Sequence, residues 1–341
     1  MLTVMKLVQM LTALSGVSGW EDAVRDCIAL QAQNASDSLT VDRLGNLIVT
    51  QTGSEPDGRT LLLCSHMDEV GFIIKEITSE GFLRFGLVGG IDTRLLPGRP
   101  VQIGPNSLPG VIGCKPKHLL DKSATPTAPR VEDLYIDIGA ECREEVSVSP
   151  GDRAVFDAPF VPLGDDLLCA KALDDRVGCA ALLHLMLSTV PKRTRIFAFT
   201  AQEEVGLRGA AAVTNRLRPT AAVVVDITTA ADLPHLPSHK RVCVPGRGVV
   251  LPHFDRATHY DPALLQTACA VAQTHHIPYQ HKEFLAGGTD AGAIQRTGDG
   301  IPVVGFALAG RYLHGPSSVV SRRDIAALTD LLALFVKEWE A

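Results

Sequence analysis

IFAFTAQEEVGLRGA, residues 196–210, reads as an apolar strand, then two adjacent glutamates, then the start of a helix. A buried strand that hands over directly to a helix is the repeating unit of an α/β layer. Successive side chains on an extended backbone point to opposite faces, so Glu203 and Glu204 can serve two different partners. One can hold a metal while the other handles a proton.

Working outward, the same texture fills the chain after about residue 162. Helical segments are expected at 174–190, 205–217, 262–276 and 322–339, and strands at 194–202, 221–229 and 301–308. The first 66 residues read as helix, helix, strand: an amphipathic helix with Val4, Leu7, Leu11 and Leu14 on one face, then a second helix from Trp20 with Ser18 as its cap. DSLTVDRLGNLIVTQTG alternates around a Leu44-Gly45 turn, and RTLLLCSH is a short apolar strand. Between about 67 and 161 helical periodicity disappears. Six β-like runs, EVGFIIKEI, GFLRFGLVGG, RPVQIG, GVIGC, DLYIDIGA and DRAVFD, are separated by turn residues. The chain therefore reads as a discontinuous α/β domain, residues 1–66 plus 162–341, interrupted by an all-β insert, residues 67–161. Residues 115–133, rich in Pro, Thr and charge, read as the insert's mobile loop.

Composition narrows the class. A chain of 341 residues with 46% hydrophobic content can bury a large core and form two domains. Its net charge of −6, without long basic runs, argues against nucleic acid or anionic membrane as partner. Eight scattered cysteines without a CxxC pair read as reduced, buried thiols, which points to the cytoplasm. No apolar stretch reaches the roughly 20 residues that span a bilayer. P-loop, HExxH, GxSxG and dinucleotide fingerprints are absent.

Ligands of open α/β sheets sit at the carboxyl ends of the strands. Those ends carry His66 and Asp68 after LLLCS, Glu203 and Glu204 after IFAFTAQ, and Asp226 after AAVVV. Asp174 in AKALDDRVG and His314 in GRYLHGPSSVV join them. Taken singly each is weak: a histidine after a strand is commonly a satisfied core residue, and Asp174 or Asp175 can simply cap a helix. Asp226 stands out, since a carboxylate after AAVVV needs a cation or donors to be buried. Jointly, His66, Asp174, Glu204, Asp226 and His314 make a plausible shell for two divalent ions; imidazole with carboxylate suits zinc, cobalt or manganese.

Over nearly its whole length the chain resembles the tetrahedral (TET) metallo-aminopeptidases. This family of dimetal zinc peptidases, of clan MH, includes glutamyl and deblocking aminopeptidases and members once labelled endoglucanase. The resemblance is carried in order by SGVSGWED, DRLGNLI, SHMDEVGFII, GVIGCKPKHLL, LYIDIGA, SPGDRAVFD, KALDDRVG, AQEEVGLRGA, GGTDAGAI and RYLHGPSSVV. It implies that Asp174 bridges two metals, that His66 and Asp226 complete one site, and that Glu204 and His314 complete the other. Asp68 would orient His66, and Glu203 would act as general base on a water attacking a peptide carbonyl. It further implies a zinc-peptidase-like mixed sheet flanked by helices, with a β-barrel-like insert used for dimerisation. Dimers would assemble into a hollow tetrahedral dodecamer that admits short peptides.

Thr289 and Asp290 in GGTDAGAI and Arg311 are candidates for the substrate pocket, with Arg256 a further cation for an acidic group. The chain departs from the family pattern at Gly315, where a serine is expected, at DITTAADLPHL (226–236) and at GRGVVL (246–251). These departures bear on which N-terminal residue is accepted. A deacylase or carboxypeptidase of related dimetal fold, and a catalytically silent caged scaffold, are the competing readings. Retention of all five ligands and Glu203 argues against the scaffold.

Overall fold

The computed structural model describes residues 2–119 and 128–341. Helices α1 (Val4–Thr12) and α2 (Asp22–Ala32) lead into strands β1 (Ser38–Val41), β2 (Leu47–Gln51) and β3 (Thr60–His66). Six strands follow: β4 (Gly71–Ile77), β5 (Leu83–Val88), β6 (Pro100–Ile103), β7 (Leu108–Cys114), β8 (Leu134–Asp137) and β9 (Arg153–Phe156). The chain then runs through β10 (Val161–Leu163), β11 (Leu167–Ala170), α3 (Leu173–Ser188), β12 (Thr194–Thr200), α4 (Arg208–Leu217) and β13 (Ala221–Thr229). It ends with β14 (Val249–Leu251), α5 (Pro262–Thr274), β15 (Tyr279–His281), α6 (Asp290–Gln295), β16 (Val303–Gly310), β17 (Ser318–Ser321) and α7 (Arg322–Trp339).

The larger sheet has the order β1-β2-β12-β3-β13-β16-β14-β15. Its centre, β12-β3-β13-β16, is parallel, as near-continuous apolar strands covered on both faces should be. Leu61, Leu63, Val223, Val225, Phe197 and Phe199 pack on one face against α1, α3 and α7. Leu62, Cys64, Ala198, Ala222 and Val224 pack on the other against α4 and α6. Within this sheet β12 pairs on one side of β3 and β13 on the other, so chain direction diverges at the carboxyl ends of β3, β12 and β13. That is where an open α/β sheet forms a crevice. A small sheet, β10-β11-β17, lies outside this layer.

All six β-like runs of the insert become strands of one closed antiparallel barrel, in the order β4-β5-β8-β7-β6-β9. Closure leaves no sheet edge unpaired. Phe72 anchors the barrel core, meeting Phe85 and Phe156 edge-on at 5.2 and 5.0 Å. Of the stretch expected to be mobile, 115–133, residues 120–127 lie outside the described residues. Among the described residues no helix is long and apolar enough to cross a membrane.

One local expectation needs correction. Ser18 does not cap α2, whose N-cap is Glu21 without a side-chain bond; the Ser18 hydroxyl instead donates to the buried Asp68 carboxylate at 2.6 Å. A fully buried carboxylate demands donors, and that demand wins over a helix start that water can satisfy. In GGTDAGAI the Thr289 hydroxyl accepts the Ala291 amide and starts α6.

Candidate active site

The crevice holds most of the residues marked by the sequence. On β3 and β13 the pair Cys64 and Val224 are in register, so His66 and Asp226, two residues on, stand level on neighbouring strands. His66 Nε2 lies 3.9 Å from Asp226 Oδ1 and 3.1 Å from Asp174 Oδ1. The other oxygen of Asp174, Oδ2, faces His314 Nε2 at 3.7 Å, and Glu204 Oε2 is 3.2 Å from that same nitrogen. Glu203 joins them: one of its oxygens, a His66 nitrogen and a Glu204 oxygen fall within 4.8 Å of one another.

Both imidazoles are fixed from behind. Carbonyl oxygens only accept, so His66 Nδ1 donates to the Asp68 carbonyl at 3.1 Å and His314 Nδ1 donates to the Gly90 carbonyl at 3.0 Å. Each ring therefore presents Nε2 to the carboxylates. The Gly90 contact comes from the loop after β5, so the barrel takes part in holding His314. Gly89, at φ +82°, permits this approach, since a Cβ there would press on Val70 and come 3.5 Å from the Glu204 Cβ.

The turn carrying the two glutamates is pinned amide by amide. Ala201 donates to Asn46 Oδ1 (2.8 Å), Gln202 to Glu21 (3.0 Å), Glu203 to Asp68 Oδ1 (3.0 Å) and Glu204 to Asp68 Oδ2 (3.1 Å). These bonds hold Gln202 in the left-handed region, φ 60°; Ala172 (φ 51°) and His314 (φ 57°) are held likewise. Each costs about 1–2 kcal/mol, and such backbone is retained where a side chain must be aimed.

Asp174 and Asp175 divide along the lines that a cap reading and a ligand reading would draw. Asp175 Oδ1 accepts the Gly178 amide at 3.1 Å, capping the regular part of α3, and its Oδ2 takes the Ser65 hydroxyl at 2.5 Å. Asp174 makes no such cap bond and turns to the histidines. Sequence reasoning missed that Asp175 also comes within ligand distance of His66 and Asp226. Only its adjacency to Asp174 could have signalled it.

Two buried acids elsewhere have Lys or Arg partners: Glu69 has Lys171 and Arg176, and Glu340 has Arg195. Among the described residues Asp174, Glu203, Glu204 and Asp226 have no Lys or Arg within ion-pair distance; the cationic groups that come that close to Asp174, Glu204 and Asp226 are histidines. Burial pushes the Glu203 and Asp226 carboxyls well above their usual range, and neighbouring acids add to it. Burial alone would lower His314, but its bonds to Asp174 and Glu204 raise it to about 11. Such a field must be neutralised by protons or by cations. Imidazole nitrogens and carboxylates in this ratio are a donor set that divalent metals fit.

A cavity of about 570 Å³ opens onto these groups and is walled further by Thr228, Thr289, Leu313 and Lys282. Of the substrate-pocket candidates, Thr289 lines it. Asp290 lies buried behind, taking the Thr200 hydroxyl at 2.6 Å, with burial raising its carboxyl to about 6. Arg311 is not in the lining: it is locked in a two-bond pair with Asp232 at 2.8 and 2.6 Å. Arg256 is exposed. Lys282, which the sequence did not single out, is carried in by the turn after the edge strand β15, a long-range placement.

Fold and site together define a peptidase hydrolase. Residues 45–331 match the family model described as M42 glutamyl aminopeptidase, and the chain belongs to that family. A lysyl aminopeptidase of Pyrococcus furiosus is 28% identical over 335 residues, covering 95% of this chain and 94% of its own. A glutamyl aminopeptidase of Lactococcus lactis is also 28% identical, over 340 residues, covering 96% and 94%. Among solved structures, the TET1 peptidase of Pyrococcus horikoshii, which can assemble into a tetrahedron or a large octahedral shell, is 34% identical. It superposes with a TM-score of 0.85 over 97% of this chain and 98% of its own.

Proposed function

We propose that this chain is a dimetal aminopeptidase removing residues from the N-termini of short peptides. The observation that supports it most is the division of the Asp174 carboxylate, one oxygen toward His66 and the other toward His314. His66, Asp174 and Asp226 would hold one divalent cation, and Asp174, Glu204 and His314 the other, with zinc or cobalt favoured and manganese suitable. Bound there, such ions supply Lewis-acid polarisation of the scissile carbonyl, a lowered water pKa and an anchor for the free α-amine.

The chain's own residues do the rest. Glu203 takes a proton from the attacking water on a carboxylate oxygen and returns it to the leaving amine nitrogen. Asp68 keeps the His66 ring oriented and, through the two amides it accepts, keeps both glutamates in place. In this reading residues 1–66 plus 162–341 form the peptidase domain. Residues 67–161 form a dimerisation domain, and dimers build a tetrahedral dodecamer, as the Pyrococcus horikoshii relative's assembly suggests. A cytoplasmic setting fits the scattered cysteines.

The relatives' names do not choose a substrate, because the lysyl and glutamyl enzymes are equally similar to this chain. Hydrolysis of aminoacyl anilides that chelator abolishes and divalent metal restores tests the reading. N-acetylated versions of the same substrates should be refused; their preferred hydrolysis would establish a deacylase instead.

A further inference from the structure

We propose that residues 16–21 are a strap by which the β-barrel sets the position of Glu203, with Glu21 the residue that acts on the base. For its effect on turnover the inference rests on the aminopeptidase reading, to which it adds a positioning residue.

One end of the strap lies on the barrel. Val17 forms a parallel β-bridge with Glu69, just ahead of β4, and the Glu69 amide donates to the Gly16 carbonyl at 2.9 Å. The Val17 side chain fills the space over Gly71, the first residue of β4: a Cβ there would lie 2.6 Å from it and 2.7 Å from the Ala154 carbonyl of β9. Three residues on, Arg153 of β9 stacks over Trp20, its guanidinium carbon 5.0 Å from the ring centroid. A tight turn joins these contacts. The Trp20 amide donates to the Val17 carbonyl at 2.7 Å, and Gly19 takes φ +85°.

The other end lies on the turn that carries the base. Glu21 is 4% exposed, and a single oxygen, Oε1, accepts both the Gly19 amide at 2.7 Å and the Gln202 amide at 3.0 Å. Glu21 thus ties the strap's own turn to the residue before Glu203. Gln202 sits in the left-handed region at φ 60°, which a residue with a Cβ leaves unless it is held. Asp68, just past β3, holds the next two amides; Glu21 is the anchor whose own backbone is braced by the barrel. Glu21 is outside both the cavity lining and the ligand groups, so the amides it holds account for its burial.

The test compares metal-loaded wild type with Glu21→Ala, Glu21→Gln, Arg153→Ala and the double alanine variant on an aminoacyl anilide, well below the Tm of each. Glu21→Ala should lower kcat about 10- to 100-fold with KM within roughly threefold, because a base displaced by about 1 Å loses on that order while substrate binding does not use it. Glu21→Gln keeps an oxygen for both amides and should hold kcat within roughly threefold of wild type. Arg153→Ala should lower kcat by about two- to fivefold, the worth of the stacked cation. It should add nothing to Glu21→Ala, since both act through one turn. Amide hydrogen exchange across residues 200–205 should quicken in both single alanine variants and match wild type in Glu21→Gln, whether or not anilides are cleaved. Four results overturn the strap: wild-type kcat in Glu21→Ala, a glutamine variant as slow as the alanine one, alanine effects that multiply, or unchanged exchange. Absence of hydrolysis by wild type overturns the aminopeptidase reading instead, and the exchange pattern then decides the strap by itself.

Discussion

The Asp68 carboxylate accepts the backbone amide of Glu203 at 3.0 Å, so the residue that steadies the His66 ring also sets where the proposed base stands. Burial works to raise the Asp68 pKa, but bonds from His66, Ser18 and the Glu203 amide overcome it and hold the group below its ordinary value. Asp68 is therefore an anion whose carboxylate accepts from the Ser18 hydroxyl and both glutamate amides. Asp68→Ala keeps the backbone carbonyl that accepts from His66 but removes the carboxylate 3.4 Å from His66 Nδ1, and should lower metal affinity about 10-fold, the low end of the effect of losing a group behind a ligating histidine. Turnover at saturating metal should also fall, because Glu203 and Glu204 lose their anchors. Metal titration by calorimetry together with kcat checks this; an unchanged affinity would contradict the assigned role.

Glu21 gives a pH-dependent term in stability. Burial raises its carboxyl from 4.5 to about 7, against the lowering effect of the bond from Gly19. The folded state then binds more protons than the unfolded state between those values. Stability that is full below 4.5 is lost as pH rises through about 7. Glu21→Gln keeps an acceptor for the Gln202 amide and carries no charge. Its Tm relative to wild type should climb between about pH 5 and pH 8, by the equivalent of roughly 1–3 kcal/mol. A flat difference would contradict the buried-charge account.

Arg176 is fully buried and ties α1 to the active-site side of the sheet. It donates to the carbonyls of Met67 (2.7 Å) and Leu11 (2.6 Å) and pairs with Glu69 at 3.2 Å, beside Lys171. Arg176→Met should lower the unfolding free energy by about 3–5 kcal/mol, since it strands part of a buried ionic network. The urea midpoint measures this. A change below about 1 kcal/mol would show that the network contributes little.

Much of this was legible in the chain because it was written locally. Six short apolar runs between turn residues became the six barrel strands, and His66, Glu203, Glu204 and Asp226 were visible as polar residues at strand ends. What the sequence did not show depends on pairing across long distances. Ser18 looked like a cap because nothing nearby announced Asp68, fifty residues on, as its acceptor. Asp175 looked like a cap and is one, but register also brings it beside His66 and Asp226. Arg311 looked free until Asp232 took it, and Lys282 is placed by an edge strand three residues long that carries little periodic signal.

Chelation should destabilise the protein. Without cations the acids of the cavity have only histidines at ion-pair distance among the described residues, and the folded state alone loses a bound partner. Metal at a hundredfold above its Kd should contribute about 2.7 kcal/mol per site. Thermal melts with and without chelator, followed by readdition of zinc or cobalt, read this directly. Identical melts would argue against metal at these residues.

The most direct test of the division of labour between Glu203 and Glu204 measures metal content and kcat together in Glu203→Gln. The account predicts two metal ions per subunit, as in the wild type, with kcat on a cleavable aminoacyl anilide lowered about 10²- to 10⁴-fold, the size of a lost general base. Turnover near the wild-type value with the metals in place would contradict it.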